Sequence, residues 1–462
     1  MMDTATAAGA VGGSVIGVSV PIRRVTTDTR DLVPGDLFVA LRGERFDGHD
    51  FVRTAFERGA SAALVARDAT TAAGQDRCLI EVDDTLSALG RLAAHWRARF
   101  DIPLIVVVGS NGKTTVKEMT AAILRAEHGE EHVLATRGNL NNAIGLPLTL
   151  LALRAEHRAA VIELGMNHPG ETSELAAIAG PTIALINNAQ REHQEFMQSV
   201  AEVAREHARL LPHVQSGGTA VFNADDAHAG VWRQATPSGV AIVDFAMNGP
   251  AAVHGACELD GSGMRLQLAT PRGTIDTNLQ VAGRHNASNA LAAAAAAFAA
   301  GVSDEAIARG LQMFQPVPGR LVARRAMQGQ TVIDDTYNAN PDSVQAAIAV
   351  LSAAPAPRWL VLGDMGEVGS EGPAFHREAG TIARAAGIER LFTCGALAVD
   401  ACRAFGSAGE HFDSVDALAD DLAHRFTHDD ARAVTVLVKG SRFMRMERVV
   451  ARLCGDPAPG AH

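Results

Sequence analysis

Residues 104–115 read LIVVVGSNGKTT, and the order of features in this stretch sets the architecture. The run LIVVVG at 104–109 is apolar without alternation, as a strand buried on both faces of a sheet requires. It leads without a break into GSNGKTT at 109–115, and a helical stretch follows from Val116 to Ala126. Strand, glycine-bearing loop and helix in that order suit a polyphosphate. Gly109 and Gly112 let the backbone N–H groups around Ser110 and Asn111 crowd an anion, and the helix N-terminus adds partial positive charge. Lys113 would then reach the β- and γ-phosphates, and the hydroxyl of Thr114 would meet Mg²⁺. The general pattern asks for a further glycine where Val107 stands. A plain glycine turn before a helix is the alternative reading.

Downstream, AAVIELG (159–165), TIALINN (182–188) and TAVFNADD (219–226) are further buried-strand candidates separated by helical segments, the pattern of a mostly parallel sheet. The alanine-rich segment 285–301 reads as a packed helix, because alanine is the strongest helix former and Asn289, Leu291 and Phe298 interrupt the run. PVPGRL at 316–321 punctuates the chain. Beyond it the βα alternation resumes at 331–337, 358–365, 390–395 and 434–440, giving a second doubly wound, Rossmann-like sheet. Upstream, β-rich runs at 17–20, 37–41, 62–65 and 79–82, with a helix over 85–99, make a small α/β domain. The expectation is an α/β chain of three domains, 1–100, 101–317 and 318–462, with a disordered tail from 455. A length of 462 residues at about 150 per domain agrees.

A net charge of −11 leaves no broad basic face, which argues against nucleic acid and anionic membrane as partners. Cys78, Cys257, Cys394, Cys402 and Cys454 are scattered and odd in number, so neither a disulfide framework nor a zinc knuckle is expected. A reducing cytoplasm fits them. The acidic, Gly/Ala-rich start is not expected to act as a signal peptide, and no apolar run reaches membrane-spanning length. Only Lys113, Lys117 and Lys439 are lysines among 41 basic residues. Where arginine so dominates, a surviving lysine marks a place that needs a compact point charge.

Glu163 closes its strand at the sheet edge where open α/β folds bind ligands, and its carboxylate suits Mg²⁺, directly or through water. A solvated or capping role is the plain alternative. His168 and His193 stand near it in sequence and gain weight only from that company.

GSNGKTT, GNLNNAIGLPLTLL (138–151), IELGMNHPGE (162–171), GRHNASNALAAAA (283–295), PGRL (318–321), DDTYNANPDS (334–343), GDMGEVG (363–369) and LVKGSR (437–442) together resemble the Mur ligase family. Residues 26–51 look like the uridine-diphosphate-binding domain of two of its branches, and the likeness spans almost the whole chain in order. GNLNN and YNANP are similar to the branch that adds D-alanyl-D-alanine, and the Asp-Asn-Pro-Arg element of the MurE-type branch is absent. The resemblance implies an ATP-dependent amide ligase acting on a UDP-N-acetylmuramoyl-tripeptide and D-alanyl-D-alanine as a monomer, without nucleic acid or membrane insertion.

The resemblance also implies roles. Asp28, Thr29 and Arg30 would hold the uridine nucleotide. Gly109, Ser110, Asn111, Gly112, Lys113, Thr114 and Thr115 would bind ATP phosphates, with Asn286 and Asn289 on the adenine side and Arg320 and Asp335 closing from the third domain. Thr114, Glu163 and His193 would serve Mg²⁺, and Lys113, Glu163 and His193 the chemistry. Asn338, Asn340, Lys439, Ser441 and Arg442 would form the dipeptide pocket. Many members carry a carbamylated lysine on the helix after the metal histidine. Here that stretch is VAREHARLL with His207 at or near the place, and no lysine lies between Lys117 and Lys439, so this chain has no such carbamate. His193 with Glu206 or His207 would have to support any second Mg²⁺, or His207 simply packs. A sibling ligase taking a single amino acid, or a nucleotide-dependent regulatory module, are the other readings.

Overall fold

The computed structural model describes residues 1–43, 46–69, 77–260, 263–428 and 433–457. Positions 44–45, inside the uridine-domain likeness, and the end of the expected disordered tail lie outside the described residues.

Among the described residues, a small sheet comes first, in the order Ser14–Ile16, Cys78–Val82, Ala62–Ala66, Asp36–Val39, Arg24–Thr26. Its first strand pairs antiparallel and the rest are parallel. The expected β-run 17–20 is displaced: the strand is Ser14–Ile16 and stops at Gly17. Gly17 adopts φ +90°, where a Cβ would come within 2.9 Å of the Arg77 carbonyl oxygen, so only glycine fits this exit.

The second sheet holds nine strands, with Leu104–Val108 between Ile183–Ile186 and Ala159–Glu163 and all three parallel. Every residue of Leu104–Val108 is buried, as its unbroken apolar run requires. Helix Lys113–His128 begins directly after Gly112, three residues earlier than the sequence reading placed it. Helix Arg284–Ala299 buries Ala290 and Ala292 to Ala297 completely. Helix Asp304–Met313 packs on the helix after the loop so tightly that a Cβ on Gly310 would lie 2.3 Å from the Ile123 Cα. Small residues here let three helices share one layer beneath the loop.

At the far edge of this sheet, Val253–Asp260, Gly263–Thr270 and Gly273–Leu279 form antiparallel pairs that the sequence reading passed over. Their two-residue alternation was available: burial in Gly273–Leu279 runs exposed, exposed, buried, exposed, buried, exposed, buried. The third sheet has the order Val322–Arg325, Thr331–Asp335, Thr435–Lys439, Arg358–Gly363, Arg390–Cys394, Gly409–Phe412, parallel except at its first strand. The expected three-domain α/β architecture is therefore the fold. No helix of the described residues is long and apolar enough to cross a membrane.

Candidate active site

The C-terminal ends of Leu104–Val108, Ala159–Glu163 and Ile183–Ile186 open into a cavity of about 890 Å³, whose far wall belongs to the third domain. Gly112 sits at φ +81°, and a Cβ there would fall 2.4 Å from Asn289 Oδ1 and 2.7 Å from Asn187 Nδ2. Those two amides explain the requirement. Asn187 Nδ2 donates to the Asn111 carbonyl at 2.8 Å and to Asn289 Oδ1 at 3.0 Å, and Asn289 Nδ2 donates to Asn286 Oδ1 at 3.2 Å. Asn286 and Asn289 thus line the cavity and also brace the loop. Lys113 Nζ folds back over the loop, donating to the Gly109 carbonyl at 2.5 Å, with Glu192 Oε2 at 3.3 Å.

Glu163 is buried at its strand end. Its Oε1 accepts from Asn141 Nδ2 at 2.9 Å, and its backbone N–H donates to Thr136 Oγ1 at 2.9 Å. Oε2 is buried without a donor. A hard, anionic oxygen held open in this way fits Mg²⁺, which keeps much of its water and asks for few protein ligands. Among the described residues, no cluster of three or more His, Cys, Asp or Glu side chains is close enough to hold a metal without water or substrate oxygens.

His193 and Glu367 both take left-handed backbone, φ +48° and +57°, which costs a non-glycine residue about 1 kcal/mol or more each. They meet across the domain seam, with His193 Nδ1 2.7 Å from Glu367 Oε2, and this contact holds the Glu367 carboxyl below its ordinary range. Arg320 Nη2 donates to Thr114 Oγ1 at 2.8 Å, and its guanidinium lies 4.2 Å from the centre of the Tyr337 ring. Asn340 and Asn111 exchange amide hydrogen bonds at 2.9 and 3.3 Å while Asn340 Oδ1 also caps helix Pro341–Ser352. Lys439, buried, donates to Asp335 Oδ2 at 2.5 Å and to the Asn338 carbonyl at 3.0 Å. Burial and the Lys439 charge push His285, which lines the cavity from the second domain, down to about 4.

Not every expected residue reaches the cavity. Asp28, Thr29 and Arg30 sit on the small domain away from it, with Arg30 exposed and clasped by Asp28 at 2.6 Å. Ser441 ties the Ala339 carbonyl and the Gly366 N–H together, at 3.0 and 2.8 Å. Arg442 points outward to Glu447 at 2.9 Å, and His168 is exposed against Glu171. Glu206, weighed as metal support, instead accepts the N–H groups of Gly170 and Thr172 at 2.9 and 3.1 Å, at the start of the earlier helix Glu171–Ala179. Sequence reasoning missed Asn141, Asn187, Arg191 and Glu192. The last two lie in NAQREH between strand Ile183–Ile186 and His193, and charged residues following a wholly buried strand were the signal.

Arg191 binds two carboxylates of the third domain, Asp342 at 2.7 Å and Glu378 at 2.8 Å. Glu192 is buried beneath Lys113. Burial alone would raise its carboxyl, but Lys113, His207 and His193 together hold it well below the usual range.

Family models match in chain order: the Mur ligase family catalytic domain over residues 21–97, the Mur ligase middle domain over 107–297, and the Mur ligase glutamate ligase domain over 319–442. The UDP-N-acetylmuramoyl-tripeptide–D-alanyl-D-alanine ligase of Escherichia coli is 41% identical over 445 residues, 96% of each chain. A crystal structure of MurF from Acinetobacter baumannii superposes with TM-score 0.90 at 33% identity, covering 98% of this chain and 99% of that one. MurF of Thermotoga maritima in complex with ADP does so at 0.81 and 26% identity, over 94% and 97%.

Proposed function

Since the chain belongs to the Mur ligase family, we propose that its cavity is the active site of an ATP-dependent amide ligase joining D-alanyl-D-alanine to UDP-N-acetylmuramoyl-tripeptide in peptidoglycan synthesis. The observation that carries this reading is the meeting of two domains at the phosphate loop: Arg320 of the third hydrogen-bonds Thr114 of the second, beside Lys113.

A carboxylate is a poor acylating agent, because its charge repels an amine and its oxygen leaves badly. Transfer of the γ-phosphoryl group of ATP to the tripeptide carboxylate removes both faults, and Lys113 and Arg320 would neutralise charge gathering on the transferred group. The dipeptide amine then attacks the acyl phosphate and expels phosphate, leaving the amide and ADP. For this the amine, with a free pKa near 8, must first lose its proton. Glu163, with Thr114 and His193, would hold Mg²⁺, whose positive charge would assist the phosphates. Asn338, Asn340 and Lys439 line the cavity from the third domain and are the proposed dipeptide contacts, and Asp28, Thr29 and Arg30 remain the proposed uridine contacts. Closure of the third domain, already made in this structure through Arg191, Arg320 and Asn340, would shield the acyl phosphate from water. Domain limits near 100 and 317, a single-chain enzyme and a cytoplasmic place complete the proposal; all five cysteines are free, as a reducing compartment asks.

The test is an assay with muramoyl tripeptide, D-Ala-D-Ala and ATP, identifying the product by mass. A pentapeptide product, with ¹⁸O from labelled tripeptide carboxylate in the released phosphate, is expected. ADP release with one free amino acid in place of the dipeptide would overturn it.

A further inference from the structure

Glu192 is 6% exposed and stands directly under the loop. Its Oε2 lies 3.3 Å from Lys113 Nζ, its Oε1 lies 3.2 Å from Nε2 of the buried His207, and His193 Nε2 is 3.9 Å away. No donor is aligned on Oε1, and His207 Nδ1 is likewise buried without a partner. A buried carboxylate with one oxygen left so poorly served is expensive for a fold to keep. Replacing it by a well-packed apolar side chain would relieve that cost, so its place beneath the one lysine of the loop calls for a reason beyond packing. The other acceptors of Lys113 are carbonyls of its own loop, at Gly109 and Ser110, so Glu192 supplies the only anion that fixes where this ammonium sits among the described residues.

We propose that Glu192 is a positioning residue for phosphoryl transfer: it fixes the Lys113 ammonium at the phosphate loop and is itself held from behind by His207. Glu192 touches no substrate in this scheme. It opposes the ground-state attraction between Lys113 and a polyphosphate, because its negative charge lies close to the ammonium, and in return it keeps that ammonium aimed. Removing the charge therefore splits two quantities that a packing defect would move together. Nucleotide affinity rises while turnover falls.

The inference rests on the loop's assignment to the phosphates, and the experiment separates the two. ADP affinity is measured by calorimetry on the full chain for wild type, K113A, E192Q and the double variant, with kcat from the ligase assay. K113A must weaken ADP binding; if it does not, the loop assignment itself fails. Given that it does, E192Q is expected to tighten ADP binding several-fold and lower kcat at least tenfold, and to have no effect on ADP affinity once Lys113 is alanine. Parallel losses of affinity and kcat in E192Q, or an affinity change persisting in the K113A background, overturn the role given to Glu192. Should E192Q not fold, the His207 variants decide. H207Q, whose amide keeps a polar group facing Glu192, is expected to keep more turnover than H207A at similar thermal stability, and equal turnover in the two overturns the proposal.

Discussion

The two walls of the cavity are built on different principles. The loop wall is local: Gly109 to Gly112 joins one buried strand to one helix, and the conformation of Gly112 is enforced by Asn187 and Asn289 of the same domain. The facing wall is made of long-range side-chain pairs, Arg320 with Thr114, Asn340 with Asn111, Arg191 with Asp342 and Glu378, and His193 with Glu367 in strained backbone. The difference teaches a division of labour. On the proposed function the first wall would hold a nucleotide whether or not the third domain is docked, and the second would convert docking into chemistry, so substitutions on the two should divide between affinity and turnover.

The largest effect should come from Lys113→Ala, which removes the only loop cation: kcat/KM should fall about 10³-fold, since charge developing on the transferred phosphoryl group loses its partner. A drop under tenfold in steady-state assays would erase the contrast at its root. Gly112→Ala attacks the same wall through its backbone, adding a Cβ 2.4 Å from Asn289 Oδ1 at positive φ. ADP affinity by calorimetry should weaken about 100-fold, or about 2.7 kcal/mol; a change within threefold would mean that the loop is not preset.

At the seam, His285 is kept neutral by burial and the Lys439 charge, with its pKa pushed to about 4. The unfolded imidazole, near 6.5, binds the proton more readily than the folded one, so the contribution is complete above about 6.5 and disappears as pH falls toward 4. About 2 kcal/mol is involved once its partial exposure is discounted. Urea midpoints of wild type should fall over that window, and those of His285→Asn should be flatter; identical pH profiles would refute the assignment. Arg191→Ala should sharpen the contrast most cleanly. Loss of the latch to Asp342 and Glu378 should lower kcat about tenfold, with ADP affinity unchanged, and an equal loss in both would show that the walls are not separable. Smallest of all, Arg442→Ala removes an exposed ion pair to Glu447 and should leave KM for the dipeptide within about twofold. A larger rise would bring Arg442 back into the pocket where the sequence reading had put it.

The sequence by itself determined what is local in the chain. An unbroken apolar run required a doubly buried strand, the glycines that follow it allowed a tight loop into a helix, and ordered motifs from 26 to 442 carried the family and its three domains. Period-two strands at 253–279 were equally local, their alternation differing from the unbroken apolar runs of the buried parallel strands. Only tertiary structure decided which side chains meet. Nothing in NAQREH says that Arg191 will face the third domain while its neighbour Glu192 turns under Lys113, 79 residues earlier, or that Arg442 will face outward. Strand and loop conformations follow from nearest-neighbour sterics and burial, whereas pairs between distant residues form only when whole domains dock, and their partners are fixed by the packed surfaces between them.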